Sequence, residues 1–426
     1  MDPQPLNWPN RVEYAVLSDI GLRRSNNQDS QAVMVAASPA AWQQRGDLFM
    51  VADGMGAHAA GELASKLATD TVPLVYYKLA DRPPPEAALA AVEEANNQIH
   101  NRGQASPDFK GMGTTCTTLI LLPQGAMAAH VGDSRAYRLR ANRLEQLTFD
   151  HSLVWEMQRS GQIPAGQVPE YIPKNVITRS LGPNAAVQVD LEGPFPIAPG
   201  DTFLLCSDGL SGPVKDEEIG MILGCLPPAE AIRALIDLAN LRGGPDNITA
   251  VVARAAAGPW AADASDSSAM RTGNRRPIHP AVWIVVGVLA LAGVGLFAIQ
   301  PLAALATLIV AALVLCGAMI FRGNAGTSGF RFDGSRLGRG PYTATACVPN
   351  ADFVARIAGI VGDLRAAASR EDWGVDWSQF NRLIEQAAAA NRTSDFTVAI
   401  GQYCRAASFM LAELKRQGRG KNQLPT

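Results

Sequence analysis

The chain has little that would commit it to nucleic acid, zinc or export. Only 18% of its 426 residues are charged, the net charge is −2, and no long Lys/Arg block is present, so no nucleic-acid-binding stripe is indicated. Its six cysteines (Cys116, Cys206, Cys225, Cys316, Cys347 and Cys404) are scattered without a CxxC spacing. That argues against zinc and fits a reducing compartment. The start, Met1-Asp2-Pro3-Gln4-Pro5, lacks a basic region followed by an apolar run. No signal peptide is therefore expected, and the N-terminal part is expected to stay in the cytoplasm.

What the chain does have is organisation, over a length that suggests two or three domains and a substantial core. Residues 12–255 alternate strand-like and helical stretches. Val12–Leu17, Gln31–Ala36 and Leu48–Ala52 read as strands, Ala60–Lys78 and Pro85–Arg102 as helices. Thr114–Leu122, Ala126–Val131 and Arg135–Leu139 are β-rich and closely spaced, as antiparallel neighbours are. Residues 151–178, with Gly161, Pro164, Gly166, Pro169 and Pro173, are expected to form an irregular lid or flap. Thr202–Cys206 (strand), Pro228–Leu241 (helix) and Ile248–Arg254 (strand) complete an α+β layered sandwich.

Residues 256–280 read as a linker. Ala281–Phe321 follows, 41 residues without a charged side chain, broken once at Gln300-Pro301. Because about 20 apolar residues cross a bilayer, two transmembrane helices, about 282–299 and 302–321, are expected as a hairpin. Arg271, Arg275 and Arg276 precede it, and Arg322, Arg331, Arg336 and Arg339 follow it. Basic flanks at both ends predict a protein of the cytoplasmic membrane with both remaining parts facing the cytoplasm. After a glycine-rich connector at 322–349, residues 350–426 show three apolar helical faces. These are Phe353, Ile357, Val361 and Leu364; Trp377, Phe380, Leu383 and Ile384; and Phe396, Ile400, Cys404 and Ala407. A small all-α domain is expected there, with Trp373 and Trp377 in its packing. It carries no cluster suited to catalysis and reads as a docking or regulatory module for a protein partner.

The chemistry is expected around Phe49-Met50-Val51-Ala52-Asp53-Gly54-Met55-Gly56. An apolar run ending in an acid and glycines reads as a strand that delivers Asp53 to a sheet edge before a turn tight enough to require glycine. Asp53 can hold a hard cation through oxygen, and the Gly54 carbonyl can join it. Asp208 in LLCSDGL, Asp246 in GGPDNITAVV and Asp133 in HVGDSRAY stand in similar places beside apolar runs. Singly, each reads as turn or cap chemistry; together, oxygen ligands without a histidine pair point to magnesium or manganese. Two such ions about 3.5–4 Å apart can bridge a water and offset charge in an in-line displacement, which is the chemistry of phosphoester hydrolysis. Gly21–Asp29 supplies Arg23 and Arg24, a solvated basic pair by itself and an anion clamp beside the acids.

The motifs VADGMGAHAAGE, GMGTTCTTLIL, HVGDSRAYRL, LTFDHSLV, VITRSLG, LLCSDGLSGPV and GGPDNITAVV, in this order over residues 12–255, resemble the metal-dependent protein phosphatase family, the type 2C serine/threonine phosphatases in their bacterial form. The resemblance implies a four-layer α/β/β/α sandwich of two antiparallel sheets flanked by helices, with two Mg/Mn ions at one end of the sheets. It implies that Asp53 bridges the ions, the Gly54 carbonyl binds one, Asp208 and Asp246 complete the other, Asp133 helps hold a third, and Arg24 binds the substrate phosphate. Gln28 and Asp29 stand behind these ligands. A water or hydroxide bridging the ions is then expected to attack phosphoserine or phosphothreonine in phosphorylated proteins, receptor-type serine/threonine kinases among them. Dephosphorylation of a sigma-factor regulator is a second role for the same enzyme. Four positions depart from the family. Gln28 replaces a common Glu, Met55 a histidine found in eukaryotic members, Ala57 a glycine, and Gly212 an Asp of many members. His58 lies three residues too late to replace that histidine. The Gln28 change motivates a rival expectation, a pseudo-phosphatase scaffold at the membrane that binds phosphoproteins without turning them over.

Overall fold

The computed structural model describes residues 11–57, 59–164, 168–169, 172–173, 176–256, 260, 336–371 and 374–421. Its elements, in chain order, are β1 (Val12–Asp19), β2 (Asp29–Met34), α1 (Pro39–Arg45), β3 (Asp47–Met55), α2 (Ala60–Lys78) and α3 (Pro84–Ala105). Then come β4 (Gly113–Thr114), β5 (Cys116–Leu122), β6 (Gly125–Val131), β7 (Arg135–Arg140), β8 (Arg143–Gln146), α4 (Leu153–Arg159), β9 (Asp190–Phe195) and β10 (Thr202–Cys206). The N-terminal part ends with α5 (Asp208–Ser211), α6 (Asp216–Cys225), α7 (Pro228–Leu241) and β11 (Ile248–Ala255). The C-terminal part adds β12 (Thr343–Ala346), α8 (Ala351–Arg370), α9 (Trp377–Arg392) and α10 (Phe396–Lys421).

Alternation along the strands explains the layers. Leu48, Met50 and Ala52 of β3 pack in one cluster with Ala64, Ala68 and Val72 of α2 and Ala91, Val92 and Ala95 of α3. Phe49 and Val51, pointing the other way, meet Phe203, Leu205, Val251 and Ala253 between the two sheets. Leu204 and Cys206 of β10, and Ala250 and Val252 of β11, face outward onto α6 and α7. With a side-chain period of two and both faces covered, the middles of these strands are apolar on both sides, and each buried aliphatic side chain contributes about 1.5–3 kcal/mol. One sheet runs β1-β11-β10-β7-β8-β12 and the other β2-β3-β5-β6-β9, with β4 paired to β3. The strand pairs are antiparallel, so the expected sandwich of two antiparallel sheets flanked by helices is what the chain forms.

The C-terminal part is built into this body. Within the stretch read as a connector, β12 extends the first sheet by pairing with β8, Thr343 opposite Gln146 and Ala346 opposite Arg143. Behind it the buried Cys347 fits against α6, where a Cβ on Gly220 would lie 2.2 Å from the cysteine sulfur. That contact accounts for a glycine inside a helix, where it otherwise costs about 1 kcal/mol. Phe353, Ile357 and Val361 of α8, Phe380 of α9, and Ile400, Cys404 and Met410 of α10 share one core with Ile222, Leu223, Leu235 and Leu238 of α6 and α7. Arg405–Glu230 (2.5 Å), Lys415–Asp19 (2.8 Å) and Arg356–Glu218 (3.6 Å) pair the tail with the N-terminal part. The three helices and their apolar faces follow the sequence reading. Trp377 lies half-buried on Phe380, and Trp373 is outside the described residues.

Two expectations change. The irregular segment at 151–178 contains a helix, α4, capped by Ser152, whose Val154 packs with Ile163 and Ile172. The membrane expectation is corrected: among the described residues no helix is long and apolar enough to cross a membrane. The long helices are charged along their length, α3 by Glu86, Glu93, Glu94 and Arg102 and α10 by Arg405, Glu413, Lys415 and Arg416. The stretch 281–321 itself lies outside the described residues. An uncharged run meets the length criterion in sequence, but a span is a helix with every backbone group satisfied, and among the described residues no such helix supports a membrane anchor.

Candidate active site

The acids come together at one end of the sandwich because strand register and two close backbone contacts bring them there. Asp29, the first residue of β2, pairs directly with Asp53 of β3. β3 runs two residues past Asp53, so the expected tight turn comes later, at Gly56 with φ +148°. Gly54 is needed for a different reason: a Cβ there would lie 2.1 Å from the Gly61 carbonyl oxygen and 2.5 Å from that of Gln28. Gly209, after Asp208, repeats the device, since its Cβ would lie 1.9 Å from the Asn247 carbonyl oxygen. In both Asp-Gly pairs the glycine lets a second stretch of backbone close in, and the neighbouring acid is carried with it.

Asp208 opens α5, and its carboxyl lies close to that of Asp53. Two buried carboxyls side by side do not both stay ionised without a proton or a cation between them. Burial, then the charges of Asp29, Asp208, Asp133 and Asp246, pushes the Asp53 carboxyl well above its ordinary range. Asp29 rises to about 7, chiefly through burial and despite hydrogen bonds from Ser207 and Thr249. Asp133 also rises to about 7, through burial and then Asp208 and Asp150. Asp208 rises through burial and then Asp246. Two guanidiniums oppose this charge. Arg24 donates to Asp246 Oδ2 at 2.7 Å, and Arg135 is engaged by Asp150 at 2.7–3.1 Å.

Such a site fits divalent cations. Asp29 Oδ1, Asp133 Oδ1 and Asp208 Oδ1 are buried without a hydrogen-bond partner, which is costly unless a cation or water meets them. Among the described residues no three His, Cys, Asp or Glu side chains are already gathered as a ligand set. Magnesium-like ions keep several waters and need only one or two carboxylates each, so the spread acids remain compatible with them. Gly212, at the C-cap of α5, donates its N–H to the Asp208 carbonyl oxygen at 2.7 Å and brings no carboxylate of its own. His58 lies outside the described residues.

Four residues inside the motifs were not singled out from sequence. The Asp53 N–H donates to Thr115 Oγ1 (2.8 Å), while Thr114 Oγ1 donates to the Asp53 carbonyl (2.9 Å). Ser207 Oγ donates to Asp29 Oδ2 at 2.8 Å. Asn247 accepts from Gln28 N (2.8 Å) and donates to the carbonyls of Ile20 and Asn26 (2.9 Å each), so it ties the Arg24 loop to the Asp246 loop. Small polar residues read as turn chemistry in a sequence, and only their partners distinguish them. Gln28 turns its amide toward the Gly56 carbonyl at 3.3 Å. A cavity of about 600 Å³ lined by Phe149, Arg159, Asp190, Glu192 and Tyr342 includes none of these acids.

Known proteins resemble this chain over its first 57% or so. Residues 23–234 match the family described as Protein phosphatase 2C. A putative protein phosphatase 2C-type of Streptococcus pyogenes is 37% identical over 243 residues, 56% of this chain and 95% of the relative. The solved structure of the S. agalactiae serine/threonine phosphatase is 34% identical, covers 57% of this chain and 99% of its own, and superposes with a TM-score of 0.51. The catalytic domain of the serine/threonine phosphatase PstP, solved in complex with two manganese ions, is 37% identical over 57% of this chain and 98% of its own, with a TM-score of 0.48. The chain belongs to the protein phosphatase 2C family of bacteria and is a metal-dependent serine/threonine protein phosphatase.

Proposed function

We propose that this chain hydrolyses phosphoserine and phosphothreonine in proteins at the Asp53–Asp208–Asp246 end of the sandwich. The observation that supports this is the mutual influence of five neighbouring acids, three with a buried oxygen lacking a partner, beside the exposed guanidinium of Arg24 on Asp246. Asp53 and the Gly54 carbonyl, with Asp208 and Asp246, would hold two Mn or Mg ions, and Asp133 a third. When bound, the ions generate a nucleophile from water near neutral pH and offset charge on the phosphoryl group. The protein's own contribution is positional. Asp29, bonded by Ser207 and opposite Asp53 in register, keeps the field negative enough to attract cations. Arg24, now paired with Asp246 at 2.7 Å, is placed to exchange that partner for two phosphate oxygens. Gln28 removes one negative charge relative to the common family pattern, which weakens cation binding without removing a ligand named above. Met55 has no proton to give, so the leaving alcohol takes its proton from water.

Phosphorylated proteins are the substrate class. Receptor-type serine/threonine kinases are members of that class, but the membrane anchor that pointed to them is not supported. The test is hydrolysis of a phosphothreonine peptide by the full chain with and without Mn2+. Activity should require the metal and fall about 100-fold or more in Asp53→Ala. Mn2+ at 100 times its Kd should also stabilise the wild type by about 2.7 kcal/mol and leave Asp53→Ala nearly unchanged. Metal-independent turnover, or an active Asp53→Ala, would sink the assignment.

A further inference from the structure

The loop that carries Arg24 has few packing contacts. Residues 22–26 are exposed, and hydrogen bonds hold the loop to the Asp246 segment. Leu22 N donates to the Gly244 carbonyl at 2.9 Å, and Asn247 bonds both Ile20 and Asn26. Gly21, at φ +77°, lies so close that a Cβ would be 2.2 Å from the Asp246 carbonyl oxygen. The two loops therefore form one unit at the end of the sheet. Its outer anchor is Asp19, the last residue of β1, whose Oδ1 accepts from Gly21 N at 3.0 Å and from Asn240 Nδ2 of α7 at 3.1 Å. The second oxygen of Asp19 is taken by the tail: Lys415 Nζ of α10 donates to Oδ2 at 2.8 Å. The same helix packs Cys404 and Ala407 near Leu238 and Leu241 of α7, which runs directly into Gly243-Gly244-Pro245-Asp246. Thus α10 touches both sides of the unit, by packing at α7 and by charge at Asp19.

We propose that Lys415 is a positioning residue for the phosphate-holding loop: the C-terminal helix sets the place of Arg24 against Asp246 through Asp19. This rests on the reading of Arg24 as the residue that holds the phosphate. Lys415 lies in the tail, outside residues 23–234, which match the family. Burial alone would push the Asp19 carboxyl up, yet the donors Lys415, Gly21 N–H and Asn240 outweigh it and hold the carboxyl below its ordinary range. All three donors thus favour the anion that bonds the base of the loop. Without the ammonium, a carboxylate this close to water turns outward, Gly21 N–H loses its acceptor, and the loop samples more positions. The cost falls on binding, because Lys415 touches no reacting atom.

The experiment measures KM and kcat of the full, Mn-loaded chain on a phosphothreonine peptide. The variants are Lys415→Met, Lys415→Arg, Lys415→Glu, Arg24→Ala and the double variant Arg24→Ala with Lys415→Met. Lys415→Met should raise KM about three-fold and Lys415→Glu about ten-fold, with kcat within about two-fold of wild type. Lys415→Arg should behave as wild type, and the Lys415→Met effect should fade near 1 M salt because the pair is half-exposed. In the Arg24→Ala background Lys415→Met should add nothing, which a merely structural loss would not produce. Unchanged KM in Lys415→Met and Lys415→Glu, or effects that multiply with Arg24→Ala, overturn the positioning role. If Arg24→Ala raises KM ten-fold and the Lys415 variants do not, that role alone falls. If Arg24→Ala leaves KM unchanged, the reading of Arg24 fails and the positioning role falls with it.

Discussion

At the scale of single residues, the site depends on where a methyl group cannot go. Gly54→Ala would set a Cβ 2.1 Å from a backbone oxygen, so the backbone at Gly61 must move. We expect a loss of about 1–3 kcal/mol in denaturant titration, with Mn2+ affinity reduced because the Gly54 carbonyl shifts. Wild-type stability in that variant would show that the approach is looser than the structure indicates. Arg24 gives a second expectation. Arg24→Lys keeps the charge but loses the fork, and Arg24→Ala loses both, so KM should rise in that order, the alanine by about 10- to 100-fold. Steady-state kinetics on a phosphopeptide measures this, and a lysine variant equal to wild type would mean that the fork is not used.

At the scale of elements, the end of the flap is held to the second sheet by one acid. Asp190 at the start of β9 pairs with Arg179 at 2.7 Å, while its other oxygen meets His151 Nε2 at 3.0 Å. His151 in turn accepts from Gly132 N at 3.0 Å, beside Asp133. Burial acts to raise the Asp190 carboxyl, but the hydrogen bond to His151 and then the Arg179 guanidinium prevail and lower it to about 2. A depressed carboxyl stabilises the fold above its unfolded value near 3.9, and that contribution is lost as pH falls toward 2. Asp190→Asn should therefore cost about 1–2 kcal/mol at neutral pH, after allowance for partial solvent screening, and progressively less below pH 4. Urea titrations of the pair at pH 7 and pH 3 measure this; an equal gap at both would refute it.

At the scale of the whole molecule, the tail helices and the catalytic helices bury one core. Phe353 is 1% exposed in the cluster that also holds Leu223 and Leu235. Phe353→Ala should cost about 3–5 kcal/mol. The described part of the chain should melt in a single transition, because no boundary in that core lets α8–α10 unfold alone. A separate early transition assigned to the tail by hydrogen exchange would contradict this. The same shared core gives Lys415 a fixed position from which to act on Asp19.

Much of this could be read from the residues in order. Asp53, Asp208, Asp246 and Asp133 stand out because an apolar run beside an acid and a glycine is a local pattern, and Arg24 gains meaning once those acids are recognised. The alternation in β3 and β10 and the three faces of the tail follow from periodicities of 2 and 3.6. What needed the tertiary structure is every statement about partners distant in sequence. Asp29 sits opposite Asp53 because of strand register, Gly54 and Gly209 are glycines because other backbone approaches them, and Asn247 matters because it spans two loops. The docking of the tail on α6 and α7 belongs here too, since an amphipathic face shows that something covers it but not what. Local preferences are written in neighbouring residues; burial, register and charge coupling arise only when distant ones share a place.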